Sequence, residues 1–300
     1  MKRAIRRALG VTTLAACAAV AGCAGAVTTT ARGSASAPVP AATPRQRAVT
    51  DAAAILTAFV PPPGARRLQK APGTDGGLLR FPSSTVVSTA LVDDVSFWLA
   101  PGQPSAVLAW EQAHLPRRFT PQDQGFGPAS WRAFSLPPAP GVLTDRELVV
   151  EVIAAGGGQA AIRVDAQVAW QPPRSPGEHV PSAARVVTVA AVPGTAVGAG
   201  RLPAPVTITA AAVVARLAAF ADSLRLSTIG VASCPAFVAP GVRLTFRARP
   251  GGPALAVAEG PESCGTVAFT VGGRQQPALQ APDGFVSQVL TAAGLRWRLS

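Results

Sequence analysis

Hydrophobic and polar residues alternate most regularly between Arg146 and Trp170, on both sides of the three glycines at 156–158. Because successive side chains of a strand point to opposite faces, this period of two predicts a pair of amphipathic strands joined by a glycine turn, a β-hairpin. The apolar positions of one face are Leu148, Val150, Val152, Ile162, Val164, Ala166 and Val168.

The same alternation predicts the pairing register of the hairpin. A turn centred on Gly157 places Val152 opposite Ile162 on the apolar face. It also places Glu151 opposite Arg163, so opposite charges pair in the register that aligns the apolar side chains. A cross-strand pair of this kind contributes roughly 0.2–1 kcal/mol, which favours this register over its neighbours.

Shorter patterns predict the other elements of the first half. Thr50 is the predicted N-cap of a helix at 51–59, which a run of prolines ends. A strand is predicted at 86–99 and a second helix at 105–114. A proline-rich loop at 171–177 cannot continue a strand ladder, so it predicts a domain boundary.

The second half alternates helical and strand patterns. The predicted order is a strand at 185–192, a helix at 210–224, strands at 242–248, 254–259 and 266–271, and a helix from Asp283 to Ala293 that Gly294 ends. Helices that flank consecutive strands predict an α+β fold with antiparallel sheets partly covered by helices. The expected organisation is two small α+β domains, at 47–175 and 176–300.

Residues 1–22 have the organisation of an export leader. Four basic side chains precede an apolar stretch of about 14 residues, too short to span a bilayer. Together with the following Cys23, the leader resembles a bacterial lipoprotein signal peptide, which implies cleavage before Cys23 and lipid on its thiol. Cys17 would leave a shorter apolar stretch, and cleavage near Ala26 by an ordinary signal peptidase would release a soluble protein.

The segment at 23–46 is rich in Ala, Thr, Ser and Pro and shows no apolar period. Such a composition buries too little surface to offset the entropy lost on ordering. We therefore expect a disordered tether between the membrane and the first domain.

Cysteine usage agrees with an extracytoplasmic location. The chain has four cysteines, and loss of Cys17 with the leader and acylation of Cys23 leave Cys234 and Cys264. In an exported protein two remaining thiols predict one disulfide, worth roughly 3–4 kcal/mol by the loop-entropy model. The alternatives, a metal pair or a redox pair, lack CxxC spacing and a nearby histidine.

Charge gives a weak indication of partners. Four of the 27 basic residues lie in the leader, so the remaining chain has 23 basic against 15 acidic residues and a net charge of +8. This surplus favours anionic lipids or acidic wall polymers. The alternative is a compositional bias towards Arg on a solvated surface, and nucleic acid is not an expected partner of an exported chain.

No motif predicts catalysis, a metal or a cofactor. Of the two histidines, His114 lies near a predicted helix end, where it can bind loose carbonyls, and His179 is expected to be solvated. Asp93 and Asp94 lack a calcium-loop pattern. Glu147 and Glu151 lie on one strand face about 13 Å apart, farther than glycosidase carboxylates.

One polar strand face is a candidate binding surface. Arg163, Asp165 and Gln167 project from it, and Trp170 and Arg174 follow at its end. Trp, Arg and polar side chains together can form a small binding ledge. The alternative is a salt-linked solvated face with Trp170 in the core.

Several segments resemble uncharacterised exported lipoproteins of high-GC Gram-positive bacteria. They are Leu115-Pro116 after a Trp-containing helix, the run from Arg163 to Arg174, Ser233-Cys234-Pro235 and Cys264-Gly265. The resemblance implies the same disulfide but transfers no activity. We expect a membrane-tethered, non-enzymatic protein that binds a ligand, another envelope protein or a wall polymer. The alternatives are a wall-modifying hydrolase with an unrecognised site and a structural or accessory subunit.

Overall fold

The first sheet contains six strands, and every neighbouring pair is antiparallel. The computed structural model describes residues 41–72, 75–127, 129–139, 142–194, 202–229, 240–261 and 265–297. The strands follow the spatial order β1-β2-β6-β5-β4-β3. Their bounds are β1 (Arg66–Leu68), β2 (Leu91–Pro101), β3 (Thr120–Gly125), β4 (Ser130–Ser135), β5 (Leu143–Gly156) and β6 (Gln159–Trp170).

The predicted hairpin is confirmed as β5 and β6, with its register. Val152 lies opposite Ile162, and Glu151 lies opposite Arg163. A bulge between Ala154 and Gly156 precedes the turn, where three consecutive glycines have positive φ. Glycine tolerates this left-handed backbone without a Cβ penalty, so the turn sequence and the register agree.

Two helices cover one face of the first sheet, α1 (Pro44–Thr57) and α2 (Pro104–His114). Their apolar side chains and the matching faces of β5 and β6 form one core. Helix α1 begins seven residues before the predicted start, because Thr43 and Gln46 form a capping box and Pro44 occupies the first turn. The predicted tether therefore ends before Gln46, and the folded part begins near Thr43.

The second sheet is also antiparallel and follows the order β12-β11-β10-β9-β7-β8, with β13 paired to β11. Helices α3 (Ala211–Ser223) and α4 (Phe285–Ala293) cover one of its faces and close a separate core. The strands are β7 (Val186–Val192), β8 (Val206–Ile208), β9 (Gly241–Arg247), β10 (Ala254–Pro261), β11 (Thr266–Val271), β12 (Arg274–Gln275) and β13 (Leu279–Gln280).

The ends of two elements differ from their predictions. Gly284, in the left-handed region, is the N-cap of α4 instead of Asp283, whereas Gly294 ends the helix as predicted. Strand β2 begins at Leu91 instead of Val86, because the residues before it cross over the face of the first sheet and bind its side chains.

The α+β class is confirmed by two helix-covered antiparallel sheets. The predicted boundary after residue 175 falls between them, yet Ala42–Ser300 form one compact unit. Hydrogen bonds join the halves: the Gln171 side-chain amide donates to the Leu226 carbonyl at 3.1 Å, and the Thr89 amide donates to Thr228 at 2.7 Å. Cys23, Cys234 and Cys264 lie outside the described residues, as does the predicted leader at residues 1–22.

Candidate functional site

The predicted binding surface on β6 is not a surface. Arg163 is 6% exposed, and Asp165 and Gln167 are fully buried. They lie beneath residues 79–86, which we call the covering segment, and this segment binds the sheet through side-chain hydrogen bonds. The prediction of an exposed binding face is therefore wrong for these three side chains, and so is the alternative of a solvated face.

Arg163 is the centre of this buried network. Its Nε lies 2.9 and 2.8 Å from the two carboxylate oxygens of Asp165, and its second terminal nitrogen lies 2.6 Å from Oδ1. Its first terminal nitrogen donates to the carbonyls of Leu79 and Arg80 at 2.9 and 2.7 Å. Burial opposes the charge of Arg163, but the hydrogen bonds and charge of Asp165 outweigh it and raise the pKa of Arg163.

Two further side chains of the sheet bind the covering segment. Glu151 accepts from the amide and hydroxyl of Ser83 at 3.1 and 2.6 Å, and no ion pair joins it to Arg163, although the two are opposite in register. Gln167 accepts from the Val86 amide at 2.8 Å and donates to the Ser84 carbonyl at 3.0 Å. The network therefore attaches an irregular segment to the sheet, since such buried groups require partners.

Asp93 lies at the border of the network, with an exposed side chain on β2 that interacts with Asp165. Partial desolvation, together with the negative charge of Asp165, raises the pKa of Asp93 to about 6. A raised carboxyl pKa is common at functional sites. None of the grooves described below contains Asp93, which belongs to the buried network through Asp165.

Trp170 and Arg174, the other two candidate binding residues, also have structural roles. Trp170 packs against the first core, and its amide donates to Ala90. Arg174 donates to the carbonyls of Ala221, Asp222 and Leu224 at the end of α3, and its guanidinium lies 5.0 Å from the centre of the Phe269 ring. Arg174 thus caps a helix, which corrects its assignment to a binding ledge.

The histidines form no catalytic group in the described part of the chain. The Nδ1 of His114 lies 2.8 Å from the Trp110 carbonyl, and its ring stacks on Trp110, so the predicted capping role is confirmed. His179 is partly exposed and lies 3.5 Å from Asp222. Nowhere in the described ranges do three His, Cys, Asp or Glu side chains come together as metal ligands would.

The main candidate site is a groove between α3 and α4, which we call the helix groove. It consists of two adjoining clefts with volumes of about 460 and 580 Å³ that share Phe220 and Gln288. Polar side chains at its edges are Arg216, Arg225 and Asp283, while Phe220 and Leu224 supply apolar surface. The sequence predicted both helices but could not predict the groove, which depends on how the two helices pack together.

A second groove of about 370 Å³ runs along β4 and β5 and contains Asp145 and Glu147. Burial, and then the negative charges of Asp145 and Asp123, raise the pKa of Glu147. Arg146, in the same groove, forms a salt bridge with Asp51 and donates to both of its carboxylate oxygens at 2.6 Å. A carboxyl with a raised pKa can act as a general acid, so Glu147 is the candidate for such a role among the residues of this groove.

Comparison with known proteins gives no family: no family model matches the chain, and no curated protein or solved structure matches it significantly. None of the four described helices combines the length and apolar character that a bilayer crossing requires.

Proposed function

We propose that this chain is a lipoprotein of the cell envelope that binds a partner without catalysing a reaction. Lipid on Cys23 attaches it to the extracytoplasmic face of the membrane, and Cys234 and Cys264 form a disulfide there. The order of basic, apolar and small residues before Cys23 supports this location. The resemblance to exported lipoproteins of high-GC Gram-positive bacteria supports it as well.

The observation that carries the binding role is the lining of the helix groove. Its described lining combines Phe220 and Leu224 with amide and hydroxyl groups, and it includes no histidine and no cysteine. The serine hydroxyls in the lining are engaged: Ser223 donates to the Phe220 carbonyl at 2.7 Å, and Ser287 donates to the Gly284 carbonyl at 2.8 Å. Apolar surface with a few polar groups is typical of a binding groove between helices.

The occupant that fits this groove is an amphipathic segment of another envelope protein that carries a carboxylate beside its apolar residues. Arg216 and Arg225 face the groove against the single carboxylate of Asp283, so its charge favours an acidic partner. Phe220, packed 5.8 Å from Phe285, gives apolar side chains a rigid contact.

Site-specific photo-crosslinking in cells tests this role. A photoreactive residue at Gln288 and one at Thr291, both in the groove, should each crosslink the full chain to one and the same partner protein. A photoreactive residue at Ala268, on the opposite face of the second sheet, should not. Ser223→Phe, which narrows the groove, should abolish the crosslink, and Ser182→Phe on an exposed loop should retain it. Absence of a crosslink at both groove positions, or an equal crosslink at Ala268, would reject the role.

A separate experiment tests the anchor. In a Gram-positive host the wild-type chain and Cys17→Ala should remain with the membrane. Their intact mass should match a mature chain whose first residue is a diacylglyceryl Cys23. Cys23→Ala should be released or should retain its leader. An unmodified N-terminus at Ala24 or beyond would reject acylation.

The groove beside Glu147 favours a second candidate function, a wall-modifying hydrolase. In this alternative Glu147, whose pKa is raised by burial, acts as the general acid that donates a proton to the leaving group of a wall glycan or peptide, while water attacks the scissile bond. The full chain would then release soluble fragments from peptidoglycan, and Glu147→Gln would abolish the release while Glu178→Gln would not. The binding role predicts no release from either protein.

A further inference from the structure

The second sheet has one face that no described helix covers. Helices α3 and α4 pack on the face that carries Val242, Leu244 and Phe246. The intervening positions of β9 are Arg243, Thr245 and Arg247, which lie on the opposite face. The same alternation in β7, β10 and β11 places short side chains beside them.

Short side chains form a row across this open face. The strand registers place one residue from each of six strands side by side, in the order Thr207, Thr188, Thr245, Val257, Thr270 and Gln275. Neighbouring strands are about 4.8 Å apart, so four threonine hydroxyls lie in one row across the sheet, with Val257 between Thr245 and Thr270. The hydroxyls of Thr188 and Thr207 lie 3.3 Å apart, which confirms that two of them share one side of the sheet.

Two guanidinium groups flank this row. Arg243 and Arg247 are four residues apart on β9 and therefore about 13 Å apart along the strand. Arg247 donates through one terminal nitrogen to the Thr188 hydroxyl at 3.1 Å, and Arg243 uses its Nε for Glu259. Each guanidinium keeps further N–H groups that are not engaged by the described residues, and Arg243 is half exposed.

The chemistry of this face restricts its ligand. Its described positions on β7 to β12 include no aromatic side chain, so it cannot bind neutral sugars by stacking. Two arginines outnumber the one carboxylate, Glu259, and the threonine hydroxyls can donate to anionic oxygens. Separated positive charges on a flat surface suit anionic groups that repeat along a chain.

We propose that this open face binds a linear anionic polymer of the cell envelope that carries repeating phosphodiester groups. Arg243 and Arg247 contact separate phosphates of the chain, and the threonine row donates hydrogen bonds between them. The partner depends on the extracytoplasmic location proposed above, but the face lies opposite α3 and α4 and is independent of the helix groove.

Binding of poly(glycerol phosphate) to the full chain in detergent tests this proposal, with neutral dextran as the control polymer. Arg243→Gln combined with Arg247→Gln should weaken binding about tenfold and reduce its salt dependence. Arg45→Gln combined with Arg47→Gln removes the same charge from an exposed part of α1 and should have less than about a twofold effect. Thr245→Val preserves the shape of the row and should weaken binding without altering thermal unfolding.

Binding at the open face differs measurably from unspecific attraction and from membrane binding. Equal losses in both double variants would reject the face in favour of unspecific attraction by the net positive charge. Binding to phosphatidylglycerol vesicles without binding to the polymer would reject the proposed partner in favour of a lipid surface. Ser223→Phe should retain polymer binding, so failure of the groove proposal and failure of this one are separable.

Discussion

Arg163 and Asp165, two residues apart on one strand, form a buried ion pair in which both carboxylate oxygens accept hydrogen bonds. Their separation places both side chains on the same face of β6. The remaining guanidinium nitrogen binds two carbonyls of the covering segment. One pair therefore satisfies its own charges and attaches an irregular segment to the sheet.

Replacement of one residue of the Arg163–Asp165 ion pair should strongly destabilise the fold. Asp165→Asn removes the carboxylate that binds the buried Arg163 guanidinium, and we expect a loss of about 3–5 kcal/mol in the free energy of unfolding. Urea denaturation measures this loss. The double variant Arg163→Met with Asp165→Leu removes both charges and should lose less than Asp165→Asn does. A double variant that is no more stable than the single one would contradict the argument.

The burial of Glu111 predicts an unusual pH dependence of the free energy of unfolding. The side chain is fully buried on α2, neither carboxylate oxygen has a hydrogen-bond partner, and burial raises its pKa to about 8. Because the folded chain holds this proton more tightly than the unfolded chain, the contribution of Glu111 to stability is complete below about pH 4.5. It is then lost as the pH rises to about 8, by an amount on the order of 4–5 kcal/mol.

Replacement of Glu111 tests this dependence. Glu111→Met keeps the volume and removes the ionisable group, so its gain in stability over wild type should be larger at pH 9 than at pH 5 by about 4 kcal/mol. Urea unfolding at both pH values measures the difference, and the other raised carboxyl groups cancel because both proteins carry them. An identical pH dependence in the two proteins would show that Glu111 is not buried in its neutral form.

The covering segment provides a local test. Gln167→Leu removes the bonds to the Val86 amide and the Ser84 carbonyl, two groups of the segment. Hydrogen exchange within residues 79–86 should become about thirtyfold faster, since the two lost bonds contribute roughly 1 kcal/mol each and 1.4 kcal/mol corresponds to a factor of about ten. Gln122→Leu changes an exposed glutamine on β3 and should leave exchange in the segment unchanged. Unchanged exchange in Gln167→Leu would show that apolar contacts alone hold the segment.

The hairpin and the covering segment show which features the sequence could predict. The register of β5 and β6 was predictable because the alternation, the glycine turn and the charges all favour one alignment. The ion pair was not, because Arg163 binds its neighbour on the same strand instead of Glu151 opposite. The covering segment has no period that would place it on the sheet, so the burial of Asp165 could not be predicted.

Other differences have local causes. The signature of the first helix, Thr43-Pro44 followed by Gln46, was present in the sequence but lies in a composition typical of a tether. The helix groove and the open threonine face depend on the placement of α3 and α4 on one side of the second sheet. The period of each helix gives its apolar face but not its neighbour, so neither surface could be located from the sequence.

Arg174 connects the segment between the sheets to the second core, and its replacement should separate charge from packing. Arg174→Met preserves the contact with Phe269 but removes three hydrogen bonds to carbonyls at the end of α3 and a fourth to the Glu178 carbonyl, so we expect a loss of about 2–3 kcal/mol. Burial lowers the pKa of Arg174, so the charge is partly desolvated and the net gain from these bonds is limited.

Arg174→Lys keeps a charge without the planar fork, so its stability should fall between those of wild type and Arg174→Met. Thermal unfolding and hydrogen exchange at the end of α3 measure both effects, with exposed Arg225→Met as the control. If Arg174→Lys matches wild type, the fork geometry is unimportant and the charge alone caps the helix.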